Sequence, residues 1–319
     1  MAGIKILGYG LSRGDEKVTN FDLEKKVDTS DEWIREKTGI ESRFFARNKT
    51  NLDMAAEAGN GAIERSGIRA SDIDLVLVCT LTPDYATPSV SCGVAERLGI
   101  GNGAMCLDMN AACSGFVYGL TVARSMLESG NATCVLIIGS EKLSPLLNMQ
   151  DRGTCILFGD GAGALILKED PDGEFCSLSG NMYSDEVLYC ERFDPAISMK
   201  GQEVYRFAVN KVPESINAVL EKTGKSVEEI DRFILHQANH RIIHSAANKL
   251  KIPRDKIFEN VQIYGNTSGA SVAICMAEML EKGLLKRGMR AVACGFGAGL
   301  TYGSVLFTVG QLPDRKSVV

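Results

Sequence analysis

The stretch Asp108-Met-Asn-Ala-Ala-Cys113-Ser-Gly-Phe-Val-Tyr-Gly-Leu120 predicts a buried strand that turns sharply into a helix. Residues 106–109 are typical of a strand end, and residues 114–128 carry apolar side chains at helical spacing. Cys113 therefore lies on an elbow of small residues at a helix N-terminus. The free amides and the dipole there favour an anion, so we expect a reactive thiolate that attacks thioesters. The alternative is a small buried cysteine that only packs at the turn.

Two polar residues in the second half of the chain also follow predicted strands. Residues 233–236 predict a buried strand that ends at His236, and the segment from Ile263 predicts another that runs through Asn266 into a helix of small residues. Ligands bind at the carboxyl ends of strands in open α/β sheets. Cys113, His236 and Asn266 together therefore form a candidate acyl-transfer site. Taken singly, His236 also fits a structural histidine and Asn266 a turn residue.

The composition is that of a globular protein large enough for two similar lobes. Of 319 residues, 45% are apolar and 24% are charged, and the net charge of −5 argues against a nucleic-acid-binding surface. No apolar run approaches the length of a membrane span, and the N-terminus does not have the pattern of a signal peptide, so we expect a cytoplasmic protein without membrane contact. The ten cysteines are scattered without a C-x-x-C pair, which favours reduced thiols.

The two halves of the chain run through a similar order of predicted elements, which indicates a duplication. The predicted strands are 75–80, 133–139 and 155–167 around the Cys113 elbow, and 233–236, 291–295 and 297–308 around the Asn266 elbow. Equivalent residues lie about 155 positions apart, with Gly115 matching Gly269 and Thr80 roughly matching Gln237. We therefore expect an α/β fold of two lobes, residues 1–170 and 171–319, whose elbows face one another.

Two other patterns in the sequence resemble binding sites. His236, His240 and His244 are spaced by four, but no acidic or cysteine ligand accompanies them, and we expect no metal. The glycine-rich residues 158–164 lack the spacing of a phosphate-binding loop, so we expect those glycines to allow close packing.

Several motifs together resemble the β-ketoacyl-[acyl-carrier-protein] synthase III family, the initiating condensing enzymes of bacterial type II fatty-acid synthesis. The motifs are Val27-Asp-Thr-Ser-Asp-Glu-Trp33-Ile, Thr38-Gly-Ile40, Ala111-Ala-Cys113-Ser-Gly-Phe116, Asp151-Arg-Gly-Thr154, Phe158-Gly-Asp-Gly-Ala-Gly163, His236-Gln-Ala-Asn239 and Gly265-Asn-Thr-Ser268. The resemblance implies a thiolase-like five-layer αβαβα fold of two duplicated lobes, and a homodimer. It also implies an acyltransferase that needs no cofactor. Its substrates would be an acyl-coenzyme A primer and malonyl-acyl carrier protein, condensed with loss of CO2 to a 3-oxoacyl-acyl carrier protein.

The resemblance also implies roles for the site residues. Cys113 would take the acyl group, and His236 and Asn266 would hold the malonyl thioester oxygen while CO2 leaves. The backbone amides of Cys113 and Ala298 would form the oxyanion hole. Phe296 would be an apolar wall beside the departing carboxylate.

For coenzyme A, the resemblance implies that Trp33 and Arg152 sandwich the adenine. Lys37 occupies a position that is commonly arginine, and it lacks the planar guanidinium fork. Ala298 is the middle residue of a loop that is usually Gly-Gly-Gly, so an unusual backbone angle there would be strained. His240 replaces a common leucine.

Two less direct expectations concern the primer and the carrier protein. Thr87 stands where the family often has a bulky aromatic residue that reaches the partner's acyl pocket, so we expect a pocket wider than acetyl needs. A basic patch would dock the acidic carrier protein despite the negative net charge. Its members would be Arg206, Arg241, Lys249, Lys251 and Arg254.

Two rival functions stay open on the sequence. One is a condensing enzyme of the same fold that serves secondary metabolism and uses a different acceptor. The other is a degenerate paralogue that only binds, although the intact Cys113, His236 and Asn266 argue against it.

Overall fold

The computed structural model describes residues 2–193 and 196–310. Its strands are β1 Gly3–Arg13, β2 Glu16–Thr19, β3 Ser42–Phe45, β4 Leu75–Cys79, β5 Met105–Met109, β6 Val135–Glu141, β7 Gly161–Asp170, β8 Phe175–Ser184, β9 Leu188–Cys190, β10 Ile197–Met199, β11 Arg232–Leu235, β12 Arg290–Gly297 and β13 Gly299–Thr308. Its α-helices are α1 Asn20–Glu24, α2 Asp31–Thr38, α3 Asn51–Ser66, α4 Val90–Arg97, α5 Gly115–Glu128, α6 Gly201–Thr223, α7 His240–Leu250, α8 Val261–Tyr264 and α9 Ser271–Glu281.

Two mixed sheets organise the chain. The first has the order β1-β7-β6-β4-β5, and the second has the order β11-β12-β13-β8. In the first sheet β6, β4 and β5 run parallel, whereas β7 is antiparallel to both of its neighbours. In the second sheet β11 and β12 run parallel and β13 runs against them. Strand β5 leads directly into the elbow at Cys113, and β11 ends directly before His236, so both residues lie at carboxyl edges of parallel strands.

The elements form five layers. Helices α5 and α9 lie between the two sheets and contact strands of both. Helices α3 and α4 cover the outer face of the first sheet, and α6, with α7 packed against it, covers the outer face of the second. Strands β4 and β6 are buried along their whole length, as expected for parallel strands covered on both faces. The order is therefore helix, sheet, helix, sheet, helix.

Close packing at the centre depends on glycine. A Cβ on Gly139 of β6 would lie 2.6 Å from the carbonyl oxygen of Gly269, and one on Gly163 would collide with the backbone of α9. The missing side chains let the second elbow and α9 rest directly on the first sheet. The expectation that the glycine-rich segment serves packing therefore fits its surroundings.

Two predicted strands are wrong in part. The segment before Asn266 forms the short helix α8, because Gln237 Oε1 accepts the N–H groups of Asn260 and Val261 and turns the chain there. Beside β11, this part of the chain forms only a single parallel β-bridge, between Phe233 and Ile257.

The predicted strand at 155–167 begins only at Gly161. Before it, the N–H groups of Cys155 and Leu157 bond to carbonyls three or four residues back, which makes turns instead of a ladder.

A smaller unit packs beside the carboxyl ends of the strands. It comprises β2, β3, α1 and α2, and its apolar cluster includes Ile34, Phe45 and Ile156. No helix in the ranges 2–193 and 196–310 combines the length and apolarity needed to cross a membrane.

Candidate active site

Cys113 lies on a sharp elbow between β5 and α5. The side-chain oxygen of Asn110 accepts the N–H of Ala112 at 3.0 Å, and Ala112 has a left-handed φ of +46°. One 3-10 turn, Ala112–Ser114, then leads into α5. Cys113 is only 7% exposed. The elbow thus turns the sulfur away from solvent and toward the second lobe.

The second elbow repeats this geometry around Asn266. Its side-chain oxygen accepts the N–H of Ser268 at 2.9 Å, Ser268 has a φ of +47°, and one 3-10 turn leads into α9. The structural equivalent of Ala112 is therefore Ser268. The match predicted between Gly115 and Gly269 is wrong, because Gly115 and Ser271 each begin the α-helix of their elbow.

The equivalence of Thr80 with Gln237 needs a similar correction. Thr80 directly follows β4, and the residue that directly follows β11 is His236. The proposed catalytic histidine therefore stands at the position that mirrors Thr80.

The residues predicted from distant parts of the chain meet in one cavity. It has a volume of about 650 Å³, and its walls include Cys113, His236, Asn266, Phe296 and Ala298. The floor beneath the sulfur is Gly297. A Cβ on Gly297 would lie 2.6 Å from the Cβ of Cys113 and 2.9 Å from its Sγ, so a side chain there would displace the sulfur.

Burial controls the ionisation of Cys113. It raises the pKa of the thiol to about 11, although a hydrogen bond to Ser268 and the backbone amides of Ala298 and Cys113 act in the opposite direction. The nearby carboxyl of Glu141 raises the pKa further. The easier ionisation expected at the helix end is therefore not found, because desolvation outweighs it. The resting thiol is protonated at neutral pH.

His236 is buried and uncharged. It is 1% exposed, and its backbone N–H donates to the Cys294 carbonyl at 2.8 Å. The ring stands edge-on to Phe296, with 5.1 Å between ring centroids. Burial lowers the pKa of His236 to about 3, so the imidazole is uncharged at neutral pH and carries one N–H.

Asn266 is oriented by its own elbow. Its backbone N–H donates to Leu157 at 2.8 Å, and its carbonyl accepts from Gly159 at 3.0 Å. Because its side-chain oxygen accepts from Ser268, the amide nitrogen is the group left to donate into the cavity.

Ala298 causes no backbone strain. The left-handed angle in this loop falls on Gly299, with φ +131°, and Ala298 keeps an ordinary angle. The alanine is therefore compatible with the loop geometry.

Trp33, Lys37 and Arg152 lie together at the mouth of the cavity. The guanidinium carbon of Arg152 stands 5.2 Å from the centroid of the Trp33 ring, a cation–π contact. Arg152 also donates to the carbonyl of Asp28 at 3.1 Å. Lys37 pairs with Glu36 at 2.6 Å; the Lys37 side chain is half-buried and that of Glu36 is exposed. The structure therefore groups the three residues predicted for coenzyme A.

Only some residues of the predicted basic patch lie near one another. Arg206 and Arg241 are exposed and line the same cavity mouth. Lys249 donates to Val209 and Asn210 of α6, each at 2.9 Å, so its ammonium joins two helices. Lys251 and Arg254 lie past the far end of α7, about 15 Å along the helix axis from Arg241.

Thr87 is exposed on the connection between β4 and α4, and it does not line the cavity of its own chain. In the histidine row, the rings of His240 and His244 lie 5.2 Å apart between centroids, His244 pairs with Glu259 at 2.9 Å, and His240 packs on Gly39. In the part of the chain that is described, no group of three or more His, Cys, Asp or Glu side chains is placed to hold a metal.

Sequence reasoning missed Glu141, which lies directly behind the two elbows. It is fully buried and accepts hydrogen bonds from the Thr82 hydroxyl at 2.6 Å and from the backbone N–H groups of Leu81 and Gly269. Burial raises the pKa of Glu141 to about 7. The sequence signal for Glu141 is a carboxylate at the C-terminal end of β6, a strand that is otherwise mostly apolar.

Comparison with known proteins agrees with this geometry. Models described as 3-Oxoacyl-[acyl-carrier-protein (ACP)] synthase III and its C-terminal part match residues 107–185 and 220–309. The Beta-ketoacyl-[acyl-carrier-protein] synthase III of Clostridium acetobutylicum is 43% identical, over 96% of this chain and 98% of that protein.

Solved structures give the same result. The crystal structure of 3-oxoacyl-[acyl-carrier-protein] synthase III from Aquifex aeolicus has a TM-score of 0.93 at 43% identity and covers 96% of this chain and 100% of that one. The priming β-ketosynthase from the R1128 polyketide pathway has a TM-score of 0.93 at 32% identity, with 98% of both chains covered. The thiolase-like αβαβα fold predicted from the sequence is confirmed. With 43% identity to synthases of this type over nearly its whole length, the chain belongs to the β-ketoacyl-[acyl-carrier-protein] synthase III family of condensing enzymes.

Proposed function

We propose that this enzyme initiates fatty-acid synthesis through an acyl-Cys113 intermediate that condenses with malonyl-acyl carrier protein. The observation that carries the residue assignment is the convergence of Cys113, His236 and Asn266 on one cavity from two duplicated lobes. The elongation of a primer requires a nucleophile and an oxyanion-stabilising pair within reach of the same thioester.

In the first half-reaction, Cys113 attacks the carbonyl carbon of acyl-coenzyme A. The bond from that carbon to Sγ forms, the bond to the coenzyme A sulfur breaks, and the thiol proton ends on the leaving sulfur. The backbone amides of Cys113 and Ala298 stabilise the tetrahedral oxyanion. The thiolate is the attacking species, so the thiol proton leaves Sγ as the attack begins and is taken up by the departing coenzyme A sulfur.

In the second half-reaction, malonyl-acyl carrier protein loses CO2 and its α-carbon attacks the acyl group on Cys113. His236 and Asn266 donate to the thioester oxygen, where negative charge develops as the enolate forms. The ring of Phe296 offers the departing carboxylate an apolar wall, which favours neutral CO2. The thiolate of Cys113 then leaves and recovers a proton, giving 3-oxoacyl-acyl carrier protein.

Substrate delivery uses the mouth of the cavity. Trp33 and Arg152 are proposed to separate and hold the adenine of coenzyme A between them, with Lys37 near its phosphates. Arg206 and Arg241 are proposed to meet the acidic carrier protein, with Lys249, Lys251 and Arg254 as a more distant extension. Both substrates then enter by the same opening, one after the other. The reaction as proposed needs no further cofactor.

A homodimer is proposed to complete the primer pocket. Strand β5 is the edge of the first sheet, and its Met105 and Leu107 are 51% and 42% exposed. An exposed apolar edge strand is suited to pairing with a second copy. Thr87 lies on the connection that precedes α4, which packs on β5, and is proposed to reach the partner's cavity.

The division into lobes 1–170 and 171–319 is also a proposal. Every strand of the first sheet lies within 3–170, and every strand of the second lies within 175–308, which supports a boundary near 170. Residues 311–319 of the second lobe lie outside the described residues. A cytoplasmic location would match the site of the proposed substrates.

The test is the acyl-enzyme itself. Incubation with acyl-coenzyme A should add one acyl mass at Cys113, located by peptide mass spectrometry, and Cys113→Ala should remove that adduct while the melting temperature stays close to that of the wild type. An adduct on another of the ten cysteines would contradict the assignment.

Acceptor choice separates the proposal from its rival. The similarity to the R1128 priming synthase makes a secondary-metabolic role the specific alternative. CO2 release should be fastest with malonyl-acyl carrier protein of fatty-acid synthesis; a clear preference for another acceptor would favour the rival.

A further inference from the structure

Ser268 places a hydroxyl against the proposed nucleophile. The distance from Cys113 Sγ to Ser268 Oγ is 3.3 Å, and the thiol is placed to donate to the hydroxyl oxygen. Both residues are buried, and both line the cavity. The family motif contains this serine, and neither half-reaction of the proposed mechanism uses its hydroxyl.

The backbone of Ser268 is held in a conformation that disfavours a side chain. Its φ of +47° lies in the left-handed region, which glycine adopts freely and serine does not. Two bonds keep it there: its own N–H donates to Asn266 Oδ1 at 2.9 Å, and the next N–H, that of Gly269, donates to Glu141 Oε1 at 3.3 Å. The elbow therefore fixes the direction of the Ser268 side chain toward Cys113.

We propose that Ser268 is a positioning residue that serves both half-reactions: its hydroxyl orients the Cys113 sulfur for acylation, and its backbone N–H orients the amide of Asn266. The inference rests on the proposed nucleophilic role of Cys113. One residue of the second lobe would thus align the nucleophile of the first lobe with the decarboxylation donor.

The hydroxyl can follow the sulfur through acylation without entering the covalent chemistry. In the resting enzyme the hydroxyl oxygen accepts from the thiol. As the sulfur attacks and loses its proton to the leaving coenzyme A, the hydroxyl rotates and donates to the sulfur, which carries developing negative charge. In agreement with this, the hydrogen bond from Ser268 lowers the pKa of Cys113 against the effect of burial.

The test compares acylation with decarboxylation in Ser268→Ala. The rate of acyl transfer to Cys113, followed by quenched mass spectrometry with the fastest wild-type primer, should fall about threefold to tenfold, the range for one hydrogen bond. The pH profile of Cys113 alkylation by iodoacetamide, resolved by peptide, should shift to higher pH. Decarboxylation of malonyl-acyl carrier protein should change little, because the backbone N–H that holds Asn266 remains.

Two further variants separate the hydroxyl from the backbone. Ser268→Gly keeps the left-handed angle without strain and should lose acylation to the same degree as Ser268→Ala. Ser304→Ala removes another buried hydroxyl, bonded to Ser215 at 2.7 Å, and should leave the alkylation profile unchanged.

The outcomes distinguish the two proposals. Wild-type enzyme that forms no adduct on Cys113 would overturn the proposed function. If the wild type forms the adduct but Ser268→Ala and Ser268→Gly keep its acylation rate and alkylation profile, only the role of Ser268 is overturned. A lower acylation rate in Ser268→Ala but not in Ser268→Gly would overturn that role as well.

Discussion

At the scale of single residues, burial sets the charge state of the whole site. It raises the pKa of Cys113 to about 11 and of Glu141 to about 7, and it lowers the pKa of His236 to about 3. Each shift favours the uncharged form, as desolvation requires. At neutral pH the site therefore holds a thiol and a neutral imidazole, and the Glu141 carboxyl behind them is partly ionised.

The first prediction concerns the two side-chain donors. His236→Ala and Asn266→Ala should each keep acylation of Cys113 and lose on the order of 10²–10³ in the rate of malonyl decarboxylation, because each removes a donor to the developing enolate. The measurements are acyl-adduct mass and CO2 release. A variant that decarboxylates normally but fails to acylate would contradict the division of roles.

The second prediction concerns Glu141→Gln. Glutamine can accept the same N–H groups and donate to the Thr82 hydroxyl, so the fold should be kept. In the wild type the folded carboxyl holds its proton to about pH 7, whereas the unfolded chain releases it near 4.5. The resulting stabilisation is fully present below pH 4.5 and is lost as the pH rises through 7.

Glutamine cannot lose that proton, so the unfolding free energy of Glu141→Gln relative to wild type should rise between pH 5 and pH 8. The change should be on the order of 1–3 kcal/mol, measured by urea denaturation at both pH values. Parallel stability profiles would show that Glu141 does not titrate in this range. Alkylation of Cys113 should also shift to lower pH, since the Glu141 carboxylate opposes the thiolate.

At the scale of elements, α7 links His236, the proposed catalytic histidine, to the cavity mouth where coenzyme A is proposed to bind. Asn239 caps α7 by accepting the N–H of Arg241 at 2.8 Å, and its amide donates to the carbonyl of Lys37 at 3.1 Å. His240 packs against Gly39 at the end of α2, where a Cβ would collide with the imidazole ring. The loop after His236 and the helix that carries Trp33 are therefore held together.

The third prediction uses the exposed cation of this helix. Arg241→Glu should raise the KM for malonyl-acyl carrier protein, most strongly at low salt, and should change primer kinetics little. Charge reversal at Lys249 is not a clean test of docking, because it would also break the hydrogen bonds between α7 and α6. Lys286→Glu, exposed at the opposite end of β12, is the matched control. An equal rise in the KM for malonyl-acyl carrier protein and for the acyl-coenzyme A primer would contradict the docking role of Arg241.

At the scale of the whole molecule, the two lobes supply different parts of one site. The first lobe brings Cys113 and Glu141, and the second brings His236, Asn266 and the Phe296 loop. The two lobes pack together through the central layer of α5 and α9, so the site residues of each lobe are positioned by contacts with the other lobe.

The fourth prediction tests the proposed dimer contribution to primer choice. Wild-type enzyme should accept butyryl- and isobutyryl-coenzyme A as well as acetyl, because Thr87, proposed to reach the partner's pocket, would leave room there for methylenes that each contribute about 0.8 kcal/mol when buried. Thr87→Phe should narrow the range toward acetyl. The measurement is kcat/KM for acetyl, butyryl, isobutyryl and octanoyl primers. A wild-type rate that collapses beyond acetyl, with no further narrowing in Thr87→Phe, would contradict the idea.

Local pattern was sufficient for much of this protein. Hydrophobic periodicity located the central strands of both sheets and the helices α5, α7 and α9. The repeated order of elements predicted the two lobes, and short motifs pointed to Cys113, His236 and Asn266 as candidates. These features depend on neighbours within a few residues. Periodicity failed at Ile263, where the Gln237 side chain imposes a helix from a remote part of the chain.

The sequence by itself determined the fold class, the family and the identity of the three proposed catalytic residues, because each is written in contiguous motifs. Only the tertiary structure decided how those residues ionise and what supports them. Glu141 and Ser268 meet Gly269 and Cys113 across the interface of the lobes, far apart in the chain. The pKa of Cys113 moved opposite to the expectation from its helix end because desolvation depends on every atom packed around the sulfur, and that packing exists only in the folded molecule.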